Sequence, residues 1–389
     1  MKLKIGVIFG GETVEHEISV ISAVQAMESI DRDKYEVVPI YVAKDKTWYT
    51  GNMLTDIEIY RDMDLLKRYA KEVVLYKKGN RFILQNIKGF KSEVTDIDIA
   101  FPIVHGNNME DGTIAGYLNL VGIPYVGSAI LGSALGQDKV VLKQVLESSG
   151  INVVPYTWFY DNEYSLNKEE ILKNIKKLGY PVIVKPASLG SSVGIKFVKS
   201  EKDLDSAVAE AISYDNKIVV EKAITSLLEV NCSVLGNYET QDTSEIEEVV
   251  SSDEILSYRD KYQGSGKSKG MVSARRIIPA RITKKQKDTI CEMSKQAFRV
   301  LNLEGVCRID FLIDKETGDV YVNEPNTCPG SLSFYLWKPK GMEYSVLLDN
   351  MISLAIKRFK SKNSKVYSFD TNVLSNYSGT KGAKGKLGK

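Results

Sequence analysis

Apolar and polar positions alternate from Lys2 to Phe9, Gly10-Gly11 interrupts them, and Ile18–Ser29 then carries its apolar residues at helical spacing. Tyr35–Val42 reads as a second strand and Ile97–Val104 as a later, nearly continuous apolar one. This alternation of strand and helix predicts an open, mostly parallel α/β sheet over residues 1–137. Residues 52–95 are less periodic and read as an excursion with its own short helix and hairpin. Asp138–Ser149 is a predicted helix closed by Gly150, and Ile171–Leu178 a lysine-rich, solvated one ended by Gly179. Strands follow at Val182–Lys185, Ile195–Lys199 and Lys217–Lys222, which together with the first helix make a unit over 138–225. A third, α+β unit spans 226–360, with a strand pair at 305–325 and a closing helix near Val346–Phe359. Residues 361–389 end in GTKGAKGKLGK, a basic flexible tail for which binding to an anionic surface is the alternative.

Composition narrows the class. The 389 residues suit two or three domains, and 43% hydrophobic with 26% charged residues is ordinary for a cytosolic globular protein. A net charge of +2 gives no case for a nucleic-acid partner. No apolar window is long enough for a membrane span, and KLKIGVIFGGE is a strand entering a turn rather than a signal peptide. Cys232, Cys291, Cys307 and Cys328 lack paired spacing, so neither zinc nor a disulfide frame is indicated. The two histidines, His16 and His105, both fall in turns rich in glycine and carboxylates.

The densest chemistry lies in GVCRIDFLIDKETGDVYVNEPNTCPG, residues 305–330. Strand alternation puts Arg308 and Asp310 on one face, as it does Glu324 and Asn326, while Cys307, Ile309 and Phe311 face the core. A three-residue loop, Glu316-Thr317-Gly318, with Gly318 left-handed beside a bulge, sets Asp310 across from Glu324 and Arg308 across from Asn326. Opposed Cβ atoms lie about 5 Å apart, and two carboxylates there repel by roughly 3–4 kcal/mol at an effective dielectric of ~20. A cation relieves that, and hard oxygen ligands suit Mg²⁺ shared with phosphates. A solvated edge hairpin is the plainer alternative.

Other segments carry weaker signals. Gly10-Gly11-Glu12-Thr13-Val14-Glu15-His16-Glu17 lacks the third glycine of a dinucleotide turn, and its glutamates favour a substrate ammonium or merely complement the helix dipole. In VIVKPASLGSSVG, Gly190 and Gly194 admit backbone N–H groups to phosphate oxygens, the serines add hydroxyls, and Lys185 adds a point charge. A hairpin with a flexible turn is the competing reading. Lys217–Ile224 followed by Glu229 offers strand edges and carboxylates to an adenosine. Ser257–Arg276, with Tyr258, Arg259, Lys261 and Tyr262, reads as a mobile basic lid or as a loop without function.

Taken in order, GGETVEHEIS, HGNNMEDGT, VIVKPASLGSSVG, EKxI…E, DKY, GVCRIDF and NEPNTCPG resemble the D-alanine–D-alanine ligases of the ATP-grasp superfamily, from residue 4 to about 355. The resemblance implies an ATP-grasp fold preceded by the α/β domain, and ATP-dependent joining of two D-alanines through an acyl phosphate for peptidoglycan. It implies that Lys139, Lys185 and Ser192 hold ATP phosphates, Lys261 reaches the transferred one, and Glu221, Lys222, Ile224 and Glu229 hold the adenosine. Asp310, Glu324 and Asn326 would ligate a pair of Mg²⁺ (or Mn²⁺) ions. Glu15 would receive the first substrate's ammonium, with Ser191 and Tyr262 linking it to the lid, His105 beside the substrates, and Arg308 with the Gly330 N–H facing the oxyanion. A cytoplasmic homodimer is the family expectation. Two departures stand out. Met109 replaces a glycine before Glu110-Asp111, and Tyr335 replaces the last serine of a Ser-His-Ser run that binds the second substrate's carboxylate. The second substrate is therefore open to D-serine, D-lactate or another amino acid, and a non-catalytic nucleotide-binding regulator is the reading from another class.

Overall fold

The computed structural model describes residues 2–89, 92–190, 193–250, 275–368 and 375. The first sheet combines β1 (Leu3–Gly10), β2 (Tyr35–Val42), β3 (Trp48–Thr50), β4 (Lys71–Lys78), β5 (Arg81–Asn86), β6 (Glu93–Ile97) and β7 (Ile99–Ile103) in the order β6-β5-β4-β3-β2-β1-β7. The mostly parallel sheet expected from the sequence is corrected here. Among the strand pairings of the described residues only those of β1, with β2 and β7, are parallel, and the run from β2 to β6 is antiparallel throughout. Short links such as 43–47 between β2 and β3 leave no room for a crossover helix, so the chain can only double back. The single apolar strand expected at 97–104 is likewise two strands, divided at Asp98, whose N–H donates to the Lys4 carbonyl at 2.8 Å. Because β6 and β7 end the strand order on opposite sides, the sheet curls until Ile97 covers Gly6. A Cβ on Gly6 would lie 2.6 Å from Ile97 Cδ1. Phe9, Phe101 and Ile103 pack with Val20 and Ala23 of helix His16–Ser29 and with Leu348 and Ile352 of helix Tyr344–Asn363.

The second sheet has the order β10-β9-β11-β8, all antiparallel, from β8 (Tyr156–Tyr160), β9 (Val182–Pro186), β10 (Lys196–Val198) and β11 (Lys217–Lys222). β8, Tyr-Thr-Trp-Phe-Tyr, has no apolar–polar alternation to announce it. Val182, Val184, Ile218 and Val220 face helices Lys168–Leu178 and Leu204–Ile212, and the other face carries Lys185 and Glu221. Each such fully buried Val or Ile contributes roughly 1.5–3 kcal/mol relative to exposure.

The third sheet, β14-β13-β12-β15-β16, is also antiparallel and joins β12 (Leu227–Gly236), β13 (Gln241–Val250), β14 (Arg275–Ile277), β15 (Gly305–Asp314) and β16 (Val320–Asn326). Val230, Cys232, Ile309 and Phe311 pack on helices Lys139–Ser148 and Lys284–Val300. The hairpin β15–β16 pairs Asp310 with Glu324 and Arg308 with Asn326, as the alternation requires. Its turn differs from expectation. Asp314 accepts from the Gly318 N–H at 2.7 Å and donates to the Asp319 carbonyl at 3.0 Å, so the loop holds four residues, 315–318. Gly318 is left-handed (φ 80°), but the bulge lies opposite Asp310–Phe311, where Asn323 is the extra residue. Among the described residues no helix is long and apolar enough to cross a membrane.

Candidate active site

One row of oxygen-bearing side chains crosses the third sheet. Glu247 on β13 pairs with Asn231 on β12, Asn231 with Asp310 on β15, and Asp310 with Glu324 on β16. The next row sets Ser233, Arg308 and Asn326 side by side. Arg308 donates to both Asp310 oxygens, from Nε at 2.7 Å and Nη2 at 2.8 Å, and the Asn326 amide donates to Oδ2 at 3.1 Å. Burial, with Glu324 and Glu247 adding to it and Arg308 opposing, holds the Asp310 carboxyl above the ordinary range. Among the described residues no three His, Cys, Asp or Glu side chains form a closed metal cage. Two carboxylates and an amide carbonyl are instead the partial oxygen set that suits Mg²⁺ retaining phosphate and water ligands. The destabilised Asp310 charge is what a cation would relieve, so these residues fit the ion.

Lysines converge from the other side. Asp138 caps helix Lys139–Ser148 by accepting from the Val140 and Val141 N–H groups at 2.9 and 3.1 Å. That cap puts Lys139 at the first helical position, where its N–H donates to the Ala187 carbonyl at 2.9 Å. Lys139 Nζ donates to the Leu189 carbonyl at 2.7 Å and lies 3.6 Å from Glu324 Oε2. Burial and the Lys185 charge lower the Lys139 pKa, with Glu324 opposing. Lys185 and Lys143 lie 2.8 and 2.9 Å from the Glu221 oxygens. Burial alone would raise Glu221, but the two lysines pull it down to about 2. Two like-charged, dehydrated lysines beside a Gly-rich loop make a place for phosphate oxygens. The Glu221 carboxylate is thus turned onto lysines. Lys222 is exposed, and Ile224 packs with Val154 and with Leu312, the residue paired with Glu229 of β12.

Glu15 precedes helix His16–Ser29 and reaches into the gap between two loops. A Cβ on Gly106 (φ 76°) would lie 2.8 Å from Glu15 Oε2, and one on Gly190 3.9 Å. Ser191, Ser192, Lys261, Tyr262 and most of the expected lid lie outside the described residues. His105 is buried, its Nε2 3.2 Å from Ser22 Oγ, and burial lowers its pKa to about 4, so the ring is neutral near pH 7. His16 is a core residue bonded to the Gly11 carbonyl and the Tyr41 hydroxyl. Met109 covers Gly11, where a Cβ would meet its Cγ at 2.5 Å, and packs with the first sheet's core. Gly330 opens a turn in which Ser331, Leu332 and Ser333 all take positive φ of 50–53°. Tyr335 follows, its hydroxyl donating to Glu247 Oε1 at 2.9 Å.

Three site residues have no role in the sequence reading. Lys143 stands one helical turn from Lys139, a spacing that marks a shared face. Glu110, inside HGNNMEDGT, accepts from the Gly106 N–H (3.1 Å), Thr327 Oγ1 (3.1 Å) and Cys328 N–H (2.8 Å). Glu247 gives no signal, since SEIEEVV offers three glutamates and only the pairing selects one.

Two antiparallel, helix-backed sheets, with Lys185 of one acting on Glu324 of the other and Lys139 beside both, define an ATP-grasp fold. Residues 4–128 match the model "D-ala D-ala ligase N-terminus" and residues 145–353 "D-ala D-ala ligase C-terminus". D-alanine–D-alanine ligases of Thermosipho melanesiensis and Caldicellulosiruptor bescii are 43% and 40% identical, over 96% and 94% of this chain and 98% and 99% of theirs. Among solved structures, the Coxiella burnetii D-alanine–D-alanine ligase superimposes with TM-score 0.78 at 28% identity, covering 93% of this chain and 96% of its own. The VanG D-Ala:D-Ser ligase of Enterococcus faecalis gives 0.76 at 29%, covering 91% and 100%. The chain belongs to the D-alanine–D-alanine ligase family.

Proposed function

We propose that this protein joins two D-alanines into D-alanyl-D-alanine at the expense of ATP, in the cytoplasm, as a step toward peptidoglycan. The observation that carries the reading is the meeting of Lys139 and Lys185 with the Asp310–Glu324 pair, beside the Glu15 carboxylate. Lys139 and Lys185 bind ATP phosphates, with Lys261 and Ser192 in the same task, and Lys222, Ile224 and Glu229 line the adenosine. Glu221 serves Lys185 as a counter-ion and so fixes where that ammonium points. Asp310, Glu324 and Asn326 hold Mg²⁺, which when bound neutralises phosphate charge. Glu15 takes the ammonium of the first D-alanine, leaving its carboxylate oxygen to accept the γ-phosphoryl group as ADP departs.

The amine of the second amino acid then attacks the acyl carbon. A C–N bond forms, the C–O bond to phosphate breaks, and the amine's proton passes to solvent. The two bonds to Asp310 use only part of the Arg308 donor fork, and the remainder, with the Gly330 N–H, stabilises the tetrahedral oxyanion. Neutral His105 lies beside the substrates. The three-unit division at 137 and 225, and a homodimer, belong to the same reading.

Incubation with Mg-ATP and D-alanine, D-serine or D-lactate, with phosphate release measured, tests it. Release with D-alanine that EDTA abolishes is the expected result. No release with any acceptor would refute catalysis, and release only without D-alanine would replace the substrate.

A further inference from the structure

An amino acid that serves as acceptor carries its own carboxylate into a recessed site, where an unpaired anion is costly. Among the described residues, the other nearby cations are engaged. Arg308 chelates Asp310, Lys139 bonds to the Leu189 carbonyl near Glu324, and Lys143 and Lys185 share Glu221. Arg276 on β14 is held differently. Its guanidinium carbon lies 4.4 Å from the centroid of the Tyr335 ring, and its Nε is 3.9 Å from Glu247 Oε2, beyond hydrogen-bond reach.

The Tyr335 hydroxyl donates its one hydrogen to Glu247 Oε1, which also receives the Asn231 amide at 2.9 Å. A phenol so committed has no hydrogen left for an incoming anion. Glu247 is almost wholly buried, its Oε2 has no hydrogen-bond partner among the described residues, and it lies close enough to Arg308 and Asp310 to act on both electrostatically. A guanidinium held 4.4 Å over an aromatic ring and beyond hydrogen-bond reach of Glu247 keeps the planar N–H fork with which arginine takes a carboxylate bidentately.

Resting on the ligase reading above, we propose that Arg276 is the specificity-determining residue that receives the acceptor's carboxylate, with Tyr335 and Glu247 as its positioning platform. The site then selects acceptors that carry a carboxylate next to the nucleophilic group, and rejects their amides.

D-Alaninamide tests this directly. It has no carboxylate to phosphorylate, so it acts only as acceptor to a D-alanine donor. With equal D-alanine and D-alaninamide, Mg-ATP and mass-spectrometric product analysis, the wild type is expected to favour D-alanyl-D-alanine by about 100-fold or more. Arg276→Ala, a partly exposed position, is expected to cut that preference to within about 10-fold and to raise the acceptor KM while the ATP KM stays unchanged. Arg276→Lys recovers part of the preference, because it returns charge without the fork. Tyr335→Phe retains most of it, because the ring remains. An unchanged product ratio in Arg276→Ala, or a shift in the ATP KM alone, overturns the proposal. A wild type that forms neither product overturns the ligase reading itself, and this proposal with it.

Discussion

At Asp310 one carboxylate accepts both Arg308 nitrogens and the Asn326 amide while facing Glu324 across the hairpin. Removing its charge therefore has two effects, loss of the proposed metal ligand and an uncompensated Arg308. Asp310→Asn is expected to lower Mg-dependent phosphate release by at least about 100-fold, since even outer-shell changes at metal sites cost 10–100-fold. The far-UV spectrum should stay that of the wild type; wild-type turnover in the variant would remove Asp310 from the metal site. This pair was legible in the sequence because strand alternation and a Gly-containing turn leave few registers. Even so, the right pairing comes from a longer loop and the Asn323 bulge, not from the three-residue loop expected. Glu247 was not legible. Which of Glu245, Glu247 and Glu248 faces the site depends on where β13 shifts register against β12, between Cys232 and Val234, and that is a tertiary matter.

The turn from Gly330 to Ser333 shows the same limit for a whole element. Ser, Leu and Ser do not announce left-handed backbone, yet all three adopt it, at a cost of order 1–3 kcal/mol each. Helix His16–Ser29 supplies what holds them. Ser22 Oγ accepts the Ser331 N–H at 2.9 Å, Gln25 accepts the Ser331 hydroxyl at 2.7 Å, and buried Leu332 packs in the core that both share. The helix itself was readable from its period; its grip on a distant turn was not. Ser22→Ala leaves the Ser331 N–H and the His105 ring each short of a partner. The expected result is a loss of about 1–3 kcal/mol in denaturant unfolding, with kcat affected more than the substrate KM because the Gly330 N–H, the proposed oxyanion donor, loosens. Equal stability and equal kcat would show that the strained turn is held elsewhere.

Across the whole molecule, the first sheet and the third are joined by part-buried polar clasps. Arg358 donates to the Gly127 carbonyl at 2.6 Å, pairs with Glu304 at 3.2 Å and stacks on Tyr125. Arg358→Met should cost about 1–3 kcal/mol by leaving Glu304 and the Gly127 carbonyl short of a donor, read as a lower urea midpoint; an unchanged midpoint would show that the pair adds nothing net. The second clasp is Glu110, which receives Gly106 from its own loop and Thr327 and Cys328 from beyond the hairpin. Burial raises its carboxyl from the ordinary 4.5 to about 7, although those three donors oppose the rise. Below pH 4.5 it is protonated folded or unfolded. Between 4.5 and 7 only the folded chain keeps the proton, so stability falls as pH rises through that window and levels off above it. At 1.36 kcal/mol per pH unit the fall is on the order of 3 kcal/mol. Glu110→Gln cannot titrate, so the difference between wild-type and variant stability should shrink in favour of the variant from pH 4.5 to 7 and stay constant beyond. Thermal melts of both proteins across pH 4–8 measure it. Parallel curves would mean that Glu110 ionises at its ordinary pKa despite its burial, and that the clasp is a charged one at every pH the protein meets.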